Sequence, residues 1–285
     1  MMLNRWQVMR ILKKKGKRRD IRIFNGKDGE WLARVLQLNG DVDPSTAKKS
    51  RRRRASEVNL AAESLQQLRT QDDPEDDIGR PWVLVAPLKK QQRMKFIVEK
   101  CTELGAGRIV PVSSDRMEAG ALSIVLDSSD EPFGVHREHR NNLNFDRLNI
   151  QAVEASEQCE RLSVPVVTRD TGLADLDVKN EGSLWQVRDL VQQWSQNVES
   201  RRKLLVCRER GTNVDSVIPL MQALEQTRIV AFLLGPEGGW SPEEEDLFDS
   251  LSSNNNIQGV SLGPNVLRAE TASMLAVGGW TLSTE

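Results

Sequence analysis

Histidine and cysteine are scarce in this chain, and the common nucleotide-binding signatures are missing from it. His136 and His139 are its only histidines, and Cys101, Cys159 and Cys207 lie far apart with no CxxC among them. That leaves little material for a histidine-based triad or a metal centre. It also argues against a disulfide framework or a structural zinc site, with a reducing intracellular compartment as the default. No apolar run approaches the length of a membrane-spanning helix, so no membrane partner is expected. GxGxxG is absent, because Gly105-Ala-Gly107 fails at Val110, and GxxxxGK[ST] occurs nowhere. These absences argue against a nicotinamide dehydrogenase and a P-loop NTPase.

What is present is unevenly charged. The net charge of −1 over 285 residues hides a basic head on an acidic body. Residues 1–54 hold 17 Lys or Arg against 5 Asp or Glu, and the remainder holds 23 against 36. A basic segment of this kind reads as a nucleic-acid contact surface attached to something else. The competing reading is an organelle transit peptide, since the first nineteen residues contain no acid. They carry only Asn4 among Ser, Thr and Asn, whereas transit peptides are serine-rich. A cytoplasmic protein is expected, with a mitochondrion or plastid as the alternative.

The pattern divides the chain. Asp20-Ile-Arg-Ile-Phe24 alternates, Asn25 to Gly29 makes a turn, and Glu30-Trp-Leu-Ala-Arg-Val-Leu36 returns as a strand, which together spell a hairpin. Closely spaced strands over residues 1–42 suggest a small barrel. Residues 43–79 contain the basic block Lys48–Arg54 and the acidic block Gln71–Asp77, with a short helix predicted over Ala55–Arg69. Like-charge blocks stay solvated, so this stretch reads as a mobile linker or insertion. Residues 80–285 alternate in type. Strands are predicted at Trp82–Ala86, Arg108–Val112, Lys203–Cys207 and Arg228–Leu234, and helices at Met94–Leu104 and Leu143–Leu162, with a long polar loop over 117–142. Strands alternating with helices imply a mainly parallel sheet covered on both faces.

Two segments stand out near the end. Gly235-Pro-Glu-Gly-Gly-Trp240 follows the apolar strand and precedes Ser241, a good N-cap, with Pro242 at the first helical position and Glu244 where a capping-box acid belongs. Val260-Ser-Leu-Gly-Pro-Asn-Val-Leu-Arg-Ala-Glu-Thr-Ala272 repeats the strand, Gly-Pro loop and helix sequence. A single loop of this kind is most often a plain turn. Two in succession can build one pocket at the carboxyl ends of strands, with backbone N–H groups facing a ligand.

These two loops closely resemble the C-terminal signature of the SPOUT methyltransferases called ribosomal RNA small subunit methyltransferase E. Met94-Lys-Phe-Ile-Val-Glu-Lys-Cys-Thr-Glu-Leu-Gly105, Glu154-Ala-Ser-Glu-Gln-Cys-Glu-Arg161 and Phe24-Asn-Gly-Lys-Asp-Gly-Glu-Trp31 agree with the same family, in the same order. The resemblance implies an α/β fold: a SPOUT-type, trefoil-knotted, parallel-sheet domain (80–285) preceded by a small PUA-like β-barrel (1–42) that helps hold RNA. It implies S-adenosyl-L-methionine as methyl donor with no metal, a homodimer, and methylation of N3 of a uridine in small-subunit rRNA. Carried over by position, the cofactor pocket would use Leu234, Gly235, Glu237, Gly238, Leu262, Gly263, Leu267 and Thr271. The basic residues Arg10, Lys13, Lys14, Arg22 and Arg34 of the barrel would contact RNA.

Two departures stand beside this. The family usually carries a basic residue where Asn265 lies, and its barrel opens with a strand that has no counterpart ahead of Val8-Met-Arg-Ile-Leu12. A non-catalytic RNA-binding protein that keeps the SPOUT fold is therefore the alternative, and a scaffold working through its charged linker is a third reading. For the chemistry, Arg268 is the candidate to stabilise charge developing on the uracil, against a role as a salt bridge to Glu270 or to the dimer partner. Glu237 is the candidate to receive the proton or to orient the donor.

The charge distribution makes one measurable claim. Affinity for small-subunit rRNA should fall steeply as salt rises, because neutralised phosphates release counterions. Deleting residues 1–40 should weaken it, and a salt-insensitive affinity in a filter-binding titration would contradict the claim.

Overall fold

A computed structural model describes residues 7–12, 20–24, 28–39, 59–70, 79–88, 90–117, 144–171, 184–196, 201–209 and 217–284. Lys13, Lys14, the charge blocks at 48–54 and 71–77, both histidines and nearly all of the predicted polar loop at 117–142 lie outside those residues. The chain divides into two compact units. One comprises Met1–Asp73 with Glu160–Ser163, and the other comprises Pro74–Cys159 with Val164–Glu285.

The first unit is an antiparallel sheet of order β1-β2-β3-β4, built from β1 (Gln7–Leu12), β2 (Asp20–Phe24), β3 (Glu30–Asn39) and β4 (Asn59–Arg69). The predicted hairpin is β2–β3, with Phe24 opposite Glu30 and Asp20 opposite Arg34. Ile21, Ile23, Phe24 and Ala33 are buried on it. Glu30 is fully buried and accepts hydrogen bonds from Arg22 and Arg69. Burial pushes its carboxyl up, but the two guanidinium partners prevail and hold it below the usual carboxylate range. A buried charge paired in this way is tolerated where an unpaired one would not be.

Where the sequence predicts a short helix over Ala55–Arg69 inside a charged linker, the chain instead forms β4. The compact unit accordingly runs to Asp73 rather than stopping at residue 42. Ala, Glu, Gln and Leu favour a helix only weakly. The edge of β3 pairs with β4 from Glu30↔Arg69 to Asn39↔Asn59, which satisfies the backbone of both segments. A partner supplied from elsewhere in the chain outweighs local propensity, and a window of fifteen residues contains no trace of it.

The second unit is a seven-stranded sheet, parallel throughout, of order β7-β6-β5-β10-β8-β11-β9. Its strands are β5 (Trp82–Val85), β6 (Arg108–Pro111), β7 (Val166–Val167), β8 (Lys203–Cys207), β9 (Val217–Pro219), β10 (Val230–Leu234) and β11 (Ile257–Ser261). Its helices are α1 (Gln91–Glu103), α2 (Phe145–Gln158), α3 (Val187–Gln196), α4 (Leu220–Gln226), α5 (Pro242–Ser250) and α6 (Ala269–Thr284). Side chains of β10 alternate between two cores, as the pleat requires. Val230, Phe232 and Leu234 pack with α1, α2, α4 and α6, while Ala231 and Leu233 pack with α3 and α5. A strand buried on both faces reads as a continuous apolar run, which is why β10 is legible in the sequence.

The small residues of α6 do not lie on a free face. Ser273, Ala276, Val277 and Gly279 are buried, and a Cβ on Gly279 would stand 3.0 Å from Leu220 of α4. Small side chains here let two helices of the same chain approach closely.

At the entrance to α5 the capping box forms as the sequence specifies: Glu244 N donates to Ser241 Oγ at 3.1 Å, and Ser241 N donates to Glu244 Oε2 at 2.8 Å. Glu244, buried, also accepts from Ser114 Oγ and the backbone N of Asp115, so the cap fastens α5 to the segment that follows β6. Ser241→Ala should cost about 1–2 kcal/mol of stability, with the buried Glu244 losing a partner. Urea denaturation should show a lower midpoint at unchanged slope.

Candidate active site

The carboxyl ends of β8, β10 and β11 converge on one cavity of about 350 Å³. That volume falls within the range of small-molecule sites. β8 lies between β10 and β11, so the two glycine loops are not on adjacent strands; the residues after β8 complete the wall between them.

The first loop needs glycine for reasons the geometry makes specific. A Cβ on Gly235 would come within 3.0 Å of the Trp240 ring, and one on Gly238 within 3.0 Å of the backbone oxygen of Arg116. Gly239 has φ 69°, a left-handed conformation in which other residues are strained. Gly239 N donates to Pro236 O at 3.0 Å and closes the turn. Trp240 then locks the loop. Its Nε1 donates to Cys207 O at 3.0 Å, and its ring meets Phe248 edge to face at 5.2 Å. The second loop turns at Gly263, φ 127°, whose N–H donates to Ser261 Oγ while that hydroxyl donates to Gly263 O.

The cavity lining brings together most of the positions singled out from the sequence: Leu234, Gly235, Glu237 and Gly238 from the first loop, and Leu262, Gly263 and Leu267 from the second. Asn265 lines it too, exposed, placing a neutral amide there. Thr271 and Arg268 are not in the lining, and both are exposed. Arg268 lies in the chain between Leu267 and Ala269, which do line the cavity. Glu237 is not a free carboxylate: it accepts a hydrogen bond from Arg93. Arg22 and Arg34 of the first unit are ion-paired to Glu30 and Asp20.

Three contributors carry no advance signal in the sequence. Arg208, after β8, lines the cavity with its side chain almost wholly buried, and Nη1 donates to Asp249 Oδ1 at 2.7 Å. Arg116 lines it from the segment after β6 and reaches Gly238 O at 3.4 Å. Cys207 also lines it, with desolvation pushing its thiol up to about 12 and so favouring the protonated form. Only strand order could have nominated these residues. Among the described residues no group of three or more His, Cys, Asp or Glu is placed to hold a metal, and no helix is long and apolar enough to cross a membrane.

A cavity lined by four glycines, two of them tight against Trp240 and Arg116, walled by leucine and alanine and edged by charged groups, suits a ligand with an apolar body and polar ends. Comparison with known proteins agrees. The family model for an RNA methyltransferase domain matches residues 79–280. Ribosomal RNA small subunit methyltransferase E of Rickettsia conorii is 24% identical over 262 residues, covering 90% of this chain and 78% of that protein. The protein of the same name from Bacillus subtilis is 25% identical, over 71% of this chain and 66% of its own length. Among solved structures, ribosomal RNA small subunit methyltransferase E from Neisseria gonorrhoeae bound to S-adenosyl methionine shares the fold, with a TM-score of 0.56 at 22% identity over 92% of this chain and 82% of that one.

Proposed function

The chain belongs to the RNA methyltransferase domain family, and from that premise we propose that it methylates N3 of a uridine in small-subunit rRNA, using S-adenosyl-L-methionine. The observation that carries this reading is the cavity itself, where both glycine loops meet at the carboxyl ends of β10 and β11. The rRNA substrate is supported by the names of the relatives, and the N3 position by the resemblance of the two loops to their family.

When bound, S-adenosyl-L-methionine supplies a methyl group activated by a sulfonium. The chain's residues do the rest. Leu234, Leu262, Leu267 and Ala272 would exclude water from the apolar side of the cavity, and the backbone of Gly235, Gly238 and Gly263 would approach the ligand without obstruction. Thr271, one turn into α6, would complete the cofactor end. Uridine N3 holds a proton at neutral pH and must lose it, so negative charge develops on the uracil as the proton leaves and is spent as the new N–C bond forms. Arg268, beside the second loop, is the residue assigned to meet that charge, as a cation placed where it appears. Glu237, held by Arg93, orients rather than roams; a role in accepting the proton requires that pair to open.

The first unit is read as the PUA-like RNA-holding barrel, with Arg10, Lys13 and Lys14 as phosphate contacts and the ion-paired Arg22 and Arg34 as the weaker ones. The parallel sheet is read as the trefoil-knotted SPOUT domain, and the cytoplasm as its place of work. A homodimer is proposed through the side of α6 that keeps Leu275 and Leu282 exposed at 44% and 72%. Sedimentation at micromolar concentration should find a dimer, and Leu282→Lys should shift it to monomer.

The chemistry is tested at Arg268. Arg268→Ala should lower the single-turnover rate by about two to three powers of ten while leaving cofactor and RNA affinity nearly unchanged. A near-native rate in folded protein, with both substrates saturating, would remove Arg268 from the reaction. Cofactor binding with no transfer by the native chain, read by mass spectrometry of the rRNA, would select the non-catalytic reading.

A further inference from the structure

Arg93 lies on α1, remote in sequence from both glycine loops, and does not line the cavity. Its guanidinium nevertheless reaches both. Nη1 donates to Glu237 Oε1 in the first loop, Nε donates to Glu270 Oε1, and Nη2 donates to Glu270 Oε2 at 2.5 Å. Glu270 is the second residue of α6, immediately behind the second loop. The planar fork thus makes a bidentate contact on one side and a single contact on the other, a geometry open to arginine and not to lysine.

The contact is unequal in shelter. Side-chain exposure is 22% for Arg93, 13% for Glu270 and 36% for Glu237, so water screens the arm to Glu237 more than the arm to Glu270. The Arg93 hydrogen bonds hold the Glu270 carboxyl below the usual range, so the pair stays charged at neutral pH. The base from which Arg93 reaches is rigid, because Met94, Ile97, Val98 and Cys101 of α1 are all fully buried in the core. The strands feeding the loops are not paired with each other, since β8 separates β10 from β11. Within the sheet the loops are linked only by way of the end of β8, through Trp240 Nε1 to Cys207 O on one side and Arg208 N to Val260 O on the other, and Arg93 adds a tie that spans both directly.

We propose that Arg93 is a positioning residue: it fastens the two glycine loops into one preformed cradle, so that the ligand meets both loops already set. The proposal rests on the cofactor reading of the cavity. Arg93 touches no reacting atom, and its effect passes through Glu237 and Glu270. A cradle set in advance spares the ordering of two loops on binding, so loosening it should weaken affinity more than it changes the chemical step.

Full-length Arg93→Met, Arg93→Lys and Glu237→Gln are compared with the native chain by amide hydrogen exchange without ligand and by calorimetric titration with S-adenosyl-L-methionine. Arg93→Met should speed exchange in 235–239 and 262–268 together, with β10 still protected, and weaken binding about 10- to 100-fold. Arg93→Lys should recover only part of both. Glu237→Gln should loosen the first loop and leave the second protected. Unchanged exchange in either loop of folded Arg93→Met, or native affinity alongside faster exchange, overturns the proposal. Should Arg93→Met fail to fold, native exchange in both Arg93→Lys and Glu237→Gln overturns it equally. A native chain that binds no S-adenosyl-L-methionine defeats the cofactor reading instead, and the exchange pattern then decides the clamp by itself.

Discussion

Everything at this site depends on β10 being buried on both faces. All five of its side chains are apolar and out of contact with water, and it is hydrogen-bonded to β5 on one side and β8 on the other. Such a strand can offer no functional group along its length. It can deliver chemistry only where it ends, and there the chain must turn at once into α5 without a steric conflict. Gly235 lets the strand pass under Trp240, and Trp240 in turn is tied to the end of β8. The glycines, the tryptophan and the capping box are successive solutions to the problem of leaving a closed sheet within a few residues.

Charge is handled in the same economical way. Arg208 and Glu30 are each buried beside partners that neutralise them, and Arg93 joins carboxylates that would otherwise stand alone at the cavity edge. Several charges around the cavity are thus committed to one another. Arg116 and Arg268 stand apart from these pairs as exposed cations, the first reaching only Gly238 O among the described residues, and the field of Arg268 still helps to lower the Glu270 carboxyl. That contrast, rather than nearness in sequence to a motif, is what separates a residue available to a substrate from one occupied in holding the protein together.

Legibility in the sequence followed the range of the interactions. β8 was readable residue for residue, and the start of α5 was written in Ser241, Pro242 and Glu244, because a doubly buried strand and a helix cap each leave a local mark. The two glycine loops were readable for the same reason. β4 was not, because its conformation is imposed by β3, and its own alanines and glutamines point the other way. Short elements such as β7 and α4 left too few residues to form a period. Arg93, Arg116 and Arg208 were invisible as site residues: each is an ordinary arginine until the fold brings Arg116 and Arg208 to the cavity and Arg93 to the carboxylates of Glu237 and Glu270.

That strand order also sets a timetable. Trp82 of β5 pairs with Ala231 of β10, while β5 and β6 are joined by a single helix. On a ribosome emitting the chain from its N-terminus, β5 and β6 can associate early, leaving one edge of β5 open until residues 230–234 emerge to fill it. Such contacts between distant segments are slow to form, and an unfilled parallel edge is a template for the wrong partner. The cavity, which needs the ends of β8, β10 and β11 together, is completed last. A chain cut short before α6 would therefore lose the site and also expose the sheet that was meant to carry it, so a truncated product is a candidate for aggregation and quality control rather than a dormant enzyme.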